Sequence, residues 1–286
     1  MPRRLTEAQV EAYRRDGVLF PIRAFPESDI EAARARLEAL AAAEGGRLSR
    51  ATNHKPHILL PWLADMIRDA RVLDAVEDVL GPDILCWGSG FFWKPADDPA
   101  FISWHQDSTY WGLSDPEIVT AWIAFTPSTP ESGCMRVVPG THTRDQVAHK
   151  DTFAENNLLS RGQEIAVEVD EKDAVDVVLQ PGEMSLHHVR LFHGSERNRA
   201  AWPRIGYAVR YIPTWIRQTR GVRDSATLVR GTDREGNFDH EPRPRVDFDP
   251  VCVAFHQAML DKAEKILYAG AEKVRAFTPA QQAAGM

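Results

Sequence analysis

The stretch Ser103-Trp104-His105-Gln106-Asp107-Ser108-Thr109-Tyr110-Trp111 sets an imidazole and a carboxylate two positions apart among aromatic and β-branched residues. Residues two apart on a strand share a face, so His105 and Asp107 are placed to reach one metal ion together. A third donor has to come from elsewhere. The apolar run that closes with Leu191-Phe192-His193-Gly194-Ser195 offers His193. Two imidazoles and one carboxylate, with coordination positions left open, are the ligand set of non-heme Fe(II) oxygenases.

The pair alone carries little weight, because a chain with 10 His and 41 Asp plus Glu produces His-x-Asp by chance, and His149-Lys150-Asp151 is a second copy. That copy lies in the polar run 144–157 and reads as a solvated loop or helix face, since metal ligands need oriented, supported side chains. Three histidines compete for the third position. If residues 184–193 stayed extended, His187 and His193 would share a face and His188 would oppose it. Position favours His193, which precedes Gly194-Ser195 at a strand end where the backbone can open toward a cavity. Eleven residues later, after the turn-like 198–203, Arg204 begins the apolar run Ile205-Gly206-Tyr207-Ala208-Val209, on a strand read as antiparallel to that of His193. An unpaired charge buried there would be costly. The guanidinium is therefore expected to hold a carboxylate bidentately at the bottom of a pocket.

These residues need a rigid frame, and 286 residues suffice for one large core. The helical part is expected over 5–82: a capped helix over 6–15 closed by Asp16-Gly17, a second from 26 to Gly45-Gly46, and helical periodicity from Pro61 to Gly81-Pro82. From 83 to 216 short β-like runs alternate with Gly and Pro, at 84–87, 90–93, 119–125, 135–139, 174–179, 184–188 and 205–212. This pattern indicates an antiparallel sandwich or jelly roll with the ligand segments on neighbouring strands, flanked by helices. Residues 217–250 are rich in charge, Gly and Pro and read as a lid or disordered connection. A C-terminal helix is expected over 251–277, then a loose tail over 280–286. The whole reads as one domain.

A net charge of -7 and a pI near 5.8 disfavour nucleic acid and anionic membranes as partners. After Met1-Pro2-Arg3-Arg4 comes Leu5-Thr6-Glu7-Ala8-Gln9 in place of an apolar h-region, so no signal peptide is expected. No apolar run reaches transmembrane length. Cys86, Cys134 and Cys252 are widely separated and read as free thiols of a reducing, cytoplasmic compartment. The oligomeric state leaves no mark.

Taken together, His105-Gln106-Asp107, Ala121-Trp122, the stretch Gly133-Cys134-Met135-Arg136-Val137-Val138-Pro139-Gly140-Thr141-His142, and His193-Gly194-Ser195 with Arg204 resemble the phytanoyl-CoA dioxygenase family of Fe(II)- and 2-oxoglutarate-dependent oxygenases. Leu5-Thr6-x-x-Gln9 through Asp16-Gly17 resembles the family's opening helix, so the likeness covers residues 5–215. It implies a double-stranded β-helix (jelly roll, cupin-like) core and Fe(II) held by His105, Asp107 and His193. It further implies Arg204 on the distal carboxylate of 2-oxoglutarate, O2 as the oxidant, and Gln106, Trp122 and Ser195 lining the cosubstrate pocket. Relatives that halogenate carry a small residue at the position of Asp107, so the resemblance implies hydroxylation with release of succinate and CO2.

Substrate recognition is less legible. Tyr110 and Trp111 are candidate pocket walls, and Lys94 is a candidate partner for an anionic substrate group. No basic cluster suits the phosphates of CoA, so a small polar metabolite, amino-acid-like or a natural-product intermediate, is the expected substrate. Desaturation, cyclisation and CoA-thioester hydroxylation are the alternatives within the same chemistry. A zinc hydrolase would not need Arg204, and a non-catalytic jelly roll would bind iron without forming succinate.

Overall fold

The computed structural model describes residues 2–275 and 277. The chain opens with α1 (Glu7–Asp16), β1 (Val18–Arg23), α2 (Glu27–Ala43), α3 (Arg50–Asn53), α4 (Pro61–Met66) and α5 (Ala70–Leu80). The β region follows as β2 (Ile84–Lys94), β3 (Ile102–His105), β4 (Val119–Ala124), β5 (Met135–Val138), β6 (His149–Asp151), β7 (Gln163–Ile165), β8 (Val175–Val177), β9 (Glu183–His188), β10 (Phe192–Ser195) and β11 (Arg204–Pro213). β12 (Ser225–Arg230), β13 (Asp239–His240) and α6 (Pro250–Leu267) complete it. Thr6 caps α1 as its spacing to Gln9 predicts: its hydroxyl accepts from the Gln9 amide, while the Gln9 side chain accepts from the Thr6 amide. Gly17 ends the helix in the left-handed conformation, φ 73°.

A seven-stranded sheet runs in the order β1-β9-β4-β11-β2-β12-β13, and a four-stranded sheet in the order β3-β10-β5-β8. Among the strands named here, β12 and β13 pair in parallel and the others antiparallel. The two sheets face each other as the double-stranded β-helix that the sequence predicts. Alternation along the large sheet divides its residues cleanly. Val119, Ala121 and Ile123, Met184 and Leu186, and Ile205, Tyr207, Val209 and Tyr211 pack outward against Leu63, Val72, Leu73 and Val76 of the helices. Burying each such side chain is worth ~1.5–3 kcal/mol, which makes this helix-on-sheet layer the main core. Residues of opposite parity turn inward: Thr120, Trp122, Ser185, His187, Arg204, Ala208 and Arg210. Several are polar, and it is this inner face that holds the site.

The structure departs from the sequence reading in several places. The runs 84–87 and 90–93 are one strand, because β11 pairs with β2 from Arg204 opposite Lys94 to Pro213 opposite Ile84, and the ladder carries through Gly88-Ser89-Gly90. Gly90 is required there, since a Cβ would lie 2.9 Å from the Asn53 carbonyl oxygen. The supposed lid 217–250 contributes β12, antiparallel to β2, and β13 beside it. Its charges are spent on internal bonds: Arg230 grips Asp74 and Glu77, and Glu241 is wholly buried. Helix α6 stops at Leu267, short of the expected 277. The tail expected over 280–286 lies outside the described residues.

Candidate metal centre and adjoining pocket

His105 ends β3, and His193 on β10 stands directly opposite it in the antiparallel register. Cross-strand partners meet side chain to side chain, and the two rings lie 4.0 Å apart between centroids. The carboxylate arrives differently from the two-apart strand rule. The strand ends at His105, and Asp107 opens a 3-10 turn, Asp107–Tyr110, with its amide donating to the Val189 carbonyl at 3.0 Å. The turn brings Asp107 Oδ1 to 3.3 Å from His105 Nε2. One donor atom from each of His105, Asp107 and His193 lies within 4.8 Å of the other two, and no other cluster of three such donors converges among the described residues.

Both imidazoles are oriented by the same device. Nδ1 of His105 lies 2.9 Å from the Ser103 carbonyl, and Nδ1 of His193 lies 2.9 Å from the Leu191 carbonyl. A carbonyl only accepts, so Nδ1 carries the proton and Nε2 presents its lone pair to the centre. Burial, aided by the neighbouring His105, pushes the His193 imidazole down to about 3, so it is the neutral ligand form at neutral pH. Burial would raise the Asp107 carboxyl, but its contact with His105 and the field of Arg210 hold it below the carboxylate range. Two neutral nitrogens and one carboxylate suit a divalent transition metal.

Behind these ligands a pocket runs between the sheets, walled by Phe92, Ile102, Trp122 and Met135. Arg204 stands at one end, 1% exposed, with its guanidinium 5.4 Å from the Trp122 ring centroid. Its Nε and Nη2 have no hydrogen-bond partner among the described residues. Burial, opposed weakly by Cys134, lowers it to about 10, so it remains a cation without a counter-charge. Gly206 makes the arrangement possible: a Cβ there would fall 1.8 Å from Trp122 Cζ2. Thr120 Oγ1, Ser185 Oγ, His187 Nδ1 and Arg210 Nε are also buried without partners on the same inner face. Unpaired groups of this kind cost stability in the free protein and mark a place prepared for a polar ligand.

The sequence-predicted residues separate into groups. His105, Asp107, His193, Arg204, Trp122 and Ser195 all line the one pocket. Arg204 does so from the large sheet, paired with β2 and β4, and not from a strand beside His193 as expected. The two residues therefore face each other across the pocket, where adjacent strands would have set them side by side. Gln106 does not line it. Its amide donates to the Arg190 carbonyl at 3.0 Å and accepts from the Val147 amide at 2.9 Å, which fixes the loop that carries Asp107. Lys94 is fully buried behind Arg204 and donates to Ser195 Oγ at 2.8 Å and to the Glu196 carbonyl. Burial and the adjacent Arg204 push it down to about 6. It is therefore a buried support beside Arg204 and does not line the pocket. Tyr110 is tied to Asp151 at 2.6 Å under the Arg161 guanidinium, and Trp111 stacks on Trp87 at 5.0 Å. Neither lines the pocket.

His149-Lys150-Asp151, read as a solvated face, is strand β6. The His149 Nε2 accepts from the Gln106 amide at 3.0 Å, and burial lowers its imidazole to about 4. The sequence reading also left out Arg210. Its signal was strand parity: Arg204, Gly206, Ala208 and Arg210 share the inner face of β11.

Comparison with known proteins agrees with this geometry. Residues 13–206 match the family model described as phytanoyl-CoA dioxygenase. A probable alpha-ketoglutarate-dependent hypophosphite dioxygenase of Stutzerimonas stutzeri is 27% identical over 160 residues, covering 54% of this chain and 55% of the relative. An ectoine dioxygenase of Bordetella parapertussis is 23% identical over 231 residues, covering 72% of this chain and 75% of the relative. The chain thus spans about half the length of the first and three quarters of the second. Among solved structures, the non-heme monooxygenase ThoJ, in its apo form, is similar over 91% of this chain and 98% of its own, with 34% identity and a TM-score of 0.82. The relatives are named for small-molecule substrates. No helix among the described residues is long and apolar enough to cross a membrane.

Proposed function

The chain belongs to the phytanoyl-CoA dioxygenase family of Fe(II)- and 2-oxoglutarate-dependent oxygenases, and from that premise we propose that it hydroxylates an unactivated C–H bond of a small polar metabolite. Fe(II) held by His105, Asp107 and His193 would supply activation of O2, coupled to oxidative decarboxylation of 2-oxoglutarate to succinate and CO2. The observation that carries this reading is the unpaired Arg204 guanidinium at the end of the same pocket as the three donors.

The protein's own residues do the following. Nδ1–H bonds to Ser103 and Leu191 hold both imidazoles in the ligating tautomer. Arg204 pairs in a fork with the far carboxylate of the keto-diacid. Ser195 Oγ accepts from Lys94, which leaves its own O–H free to donate to that carboxylate. Trp122, Phe92 and Met135 keep bulk water from the pocket. Gln106 acts at a distance by fixing the Asp107 loop.

The test is anaerobic loading with Fe(II) and 2-oxoglutarate, exposure to O2, and a metabolite screen scored for succinate release together with a mass gain of one oxygen. Succinate without any oxygenated product, or turnover with zinc in the absence of 2-oxoglutarate, would remove the proposal.

A further inference from the structure

Arg210 lines two cavities at once. It forms part of the metal pocket, and it also forms part of an outer cleft between β2 and the segments at Gly46–Leu48, Glu155–Ser160 and Arg275. It is the sixth residue after Arg204 on the same face of β11, ~20 Å along the strand. The two guanidiniums therefore address opposite ends of the interior. Arg210 is partly buried and its Nε fully so, and among the described residues no oxygen accepts a hydrogen bond from it. Asp107 reaches it only through its field, and that carboxylate is committed to the metal centre. Phe92 and Trp111 lie 5.7 and 5.6 Å from its guanidinium carbon. Rings over a guanidinium leave its edge free, and the edge pairs with a planar oxyanion.

The outer cleft has the matching character. Among the described residues, Arg50 Nε and His54 Nε2 are also buried without partners there. Arg275 bonds only backbone carbonyls among the described residues, at Phe153, Ala154, Asn157 and Leu159. Arg47 lies 3.9 Å from Asp98, and Glu155 is the acidic residue on the wall. With Arg47 balanced by Asp98, Arg50, Arg210 and Arg275 against Glu155 leave the cleft with a net positive wall that attracts anions.

We propose that Arg210 anchors a carboxylate of the molecule being oxidised, with the remainder of that molecule lying in the outer cleft beside Arg50 and His54. This rests on the oxygenase reading above and adds the substrate class to it. The edge of one guanidinium pairs bidentately with one oxyanion and balances one negative charge, which a carboxylate supplies and a phosphate dianion exceeds. Desolvation of the unpaired cation is recovered only when the anion arrives, so binding the anion is strongly favoured over binding its neutral counterpart.

The experiment uses matched carboxylic acids and their primary amides, together with phosphorylated and sulfated compounds, on the wild type, Arg210→Lys and Arg210→Met. Two readouts run in parallel. One is equilibrium binding to the metal-free protein by tryptophan fluorescence, for which Trp111 next to Arg210 is the reporter. The other is substrate-dependent succinate release by the Fe(II)-loaded enzyme. The wild type is expected to prefer acid over amide by ~10–100-fold, the scale of a lost charge-assisted hydrogen bond. Arg210→Met should abolish the discrimination by weakening the acid alone, and Arg210→Lys should restore part of it. The proposal falls if acid and amide bind the wild type equally, if phosphorylated or sulfated compounds are preferred, if Arg210→Met weakens acid and amide alike, or if its defect lies in 2-oxoglutarate affinity. An acid preference in the binding arm, with no succinate from the wild type in any condition, would leave Arg210's role standing and overturn the oxygenase reading alone.

Discussion

Two buried polar regions on either side of β11 behave in opposite ways. On the helix side, Glu241 is enclosed with Lys55 at 2.9 Å, His57 at 2.9 Å, Ser225 at 2.8 Å and Thr227 at 2.6 Å. His57 continues through Ser89 at 2.6 Å to the Tyr207 hydroxyl at 2.8 Å, so every member has a partner. On the pocket side, Thr120, Ser185, His187, Arg204 and Arg210 all keep at least one buried polar atom without a partner among the described residues. Burial is similar and so is the chemistry. The difference is satisfaction: the first region is finished by folding and holds the β12–β13 edge to the helices, while the second is left incomplete for a ligand.

The largest effect expected on the pocket side comes from Asp107→Ala. It should lower turnover at least ~1000-fold, the scale on which single catalytic groups act, and should reduce the iron retained after gel filtration. Full metal content in that variant would exclude Asp107 from the ligand set. On the satisfied side, Glu241→Ala should destabilise the protein by ~3–5 kcal/mol, because it takes from the buried Lys55 its nearest counter-charge and from His57 Nε2 its partner. Urea unfolding measures this, and a change under about 1 kcal/mol would refute the structural role.

The same region predicts a pH dependence. Burial would raise the Glu241 carboxyl, but Lys55, His57 and Thr227 hold it well below its ordinary value of 4.5. Its folded pKa is depressed, so its stabilisation is complete above that ordinary value and fades as pH falls through it toward the folded one. Melting curves of the wild type and Glu241→Ala should therefore converge as pH is lowered from 7 to 3.

Arg204→Met inverts the stability effect. Removing an unpaired buried cation should leave the ligand-free protein as stable or more so, by about 1 kcal/mol or ~2–4 °C in Tm. It should also erase the thermal stabilisation that 2-oxoglutarate gives the wild type. A large loss of stability would mean that Arg204 is already satisfied, and the contrast between the two regions would disappear. The smallest effect is expected for Gln106→Ala, ~10-fold in iron affinity, because it loosens a support and removes no ligand. An effect as large as that of Asp107→Ala would place Gln106 at the metal.

Much of the architecture was legible because side-chain periodicity is local. The Thr6–Gln9 cap, the helical stripes up to Leu80 and the runs that become β4, β9 and β11 follow from local pattern alone. The misreadings arose where distant partners decide. Charges at 217–250 indicated solvent until Lys55, Asp74 and Glu77 were found opposite them. His149 looked exposed because Gln106, which covers it, lies 43 residues away. The family resemblance puts Gln106 in the pocket and its charge alone suggests Lys94 as an anion partner, whereas their side chains point to carbonyls and hydroxyls behind the wall.

The amino-acid order by itself determined which donors exist, which faces of each strand are apolar, and that a histidine-carboxylate pair, a later histidine and a guanidinium follow one another at family spacing. Only the tertiary structure decided that Asp107 reaches the centre from a turn and that Arg204 confronts His193 from the opposite sheet. It alone also showed which polar groups remain without partners. The reason is physical: periodicity is set by neighbours along the chain, whereas hydrogen-bond satisfaction depends on whichever remote group the fold brings within about 3 Å.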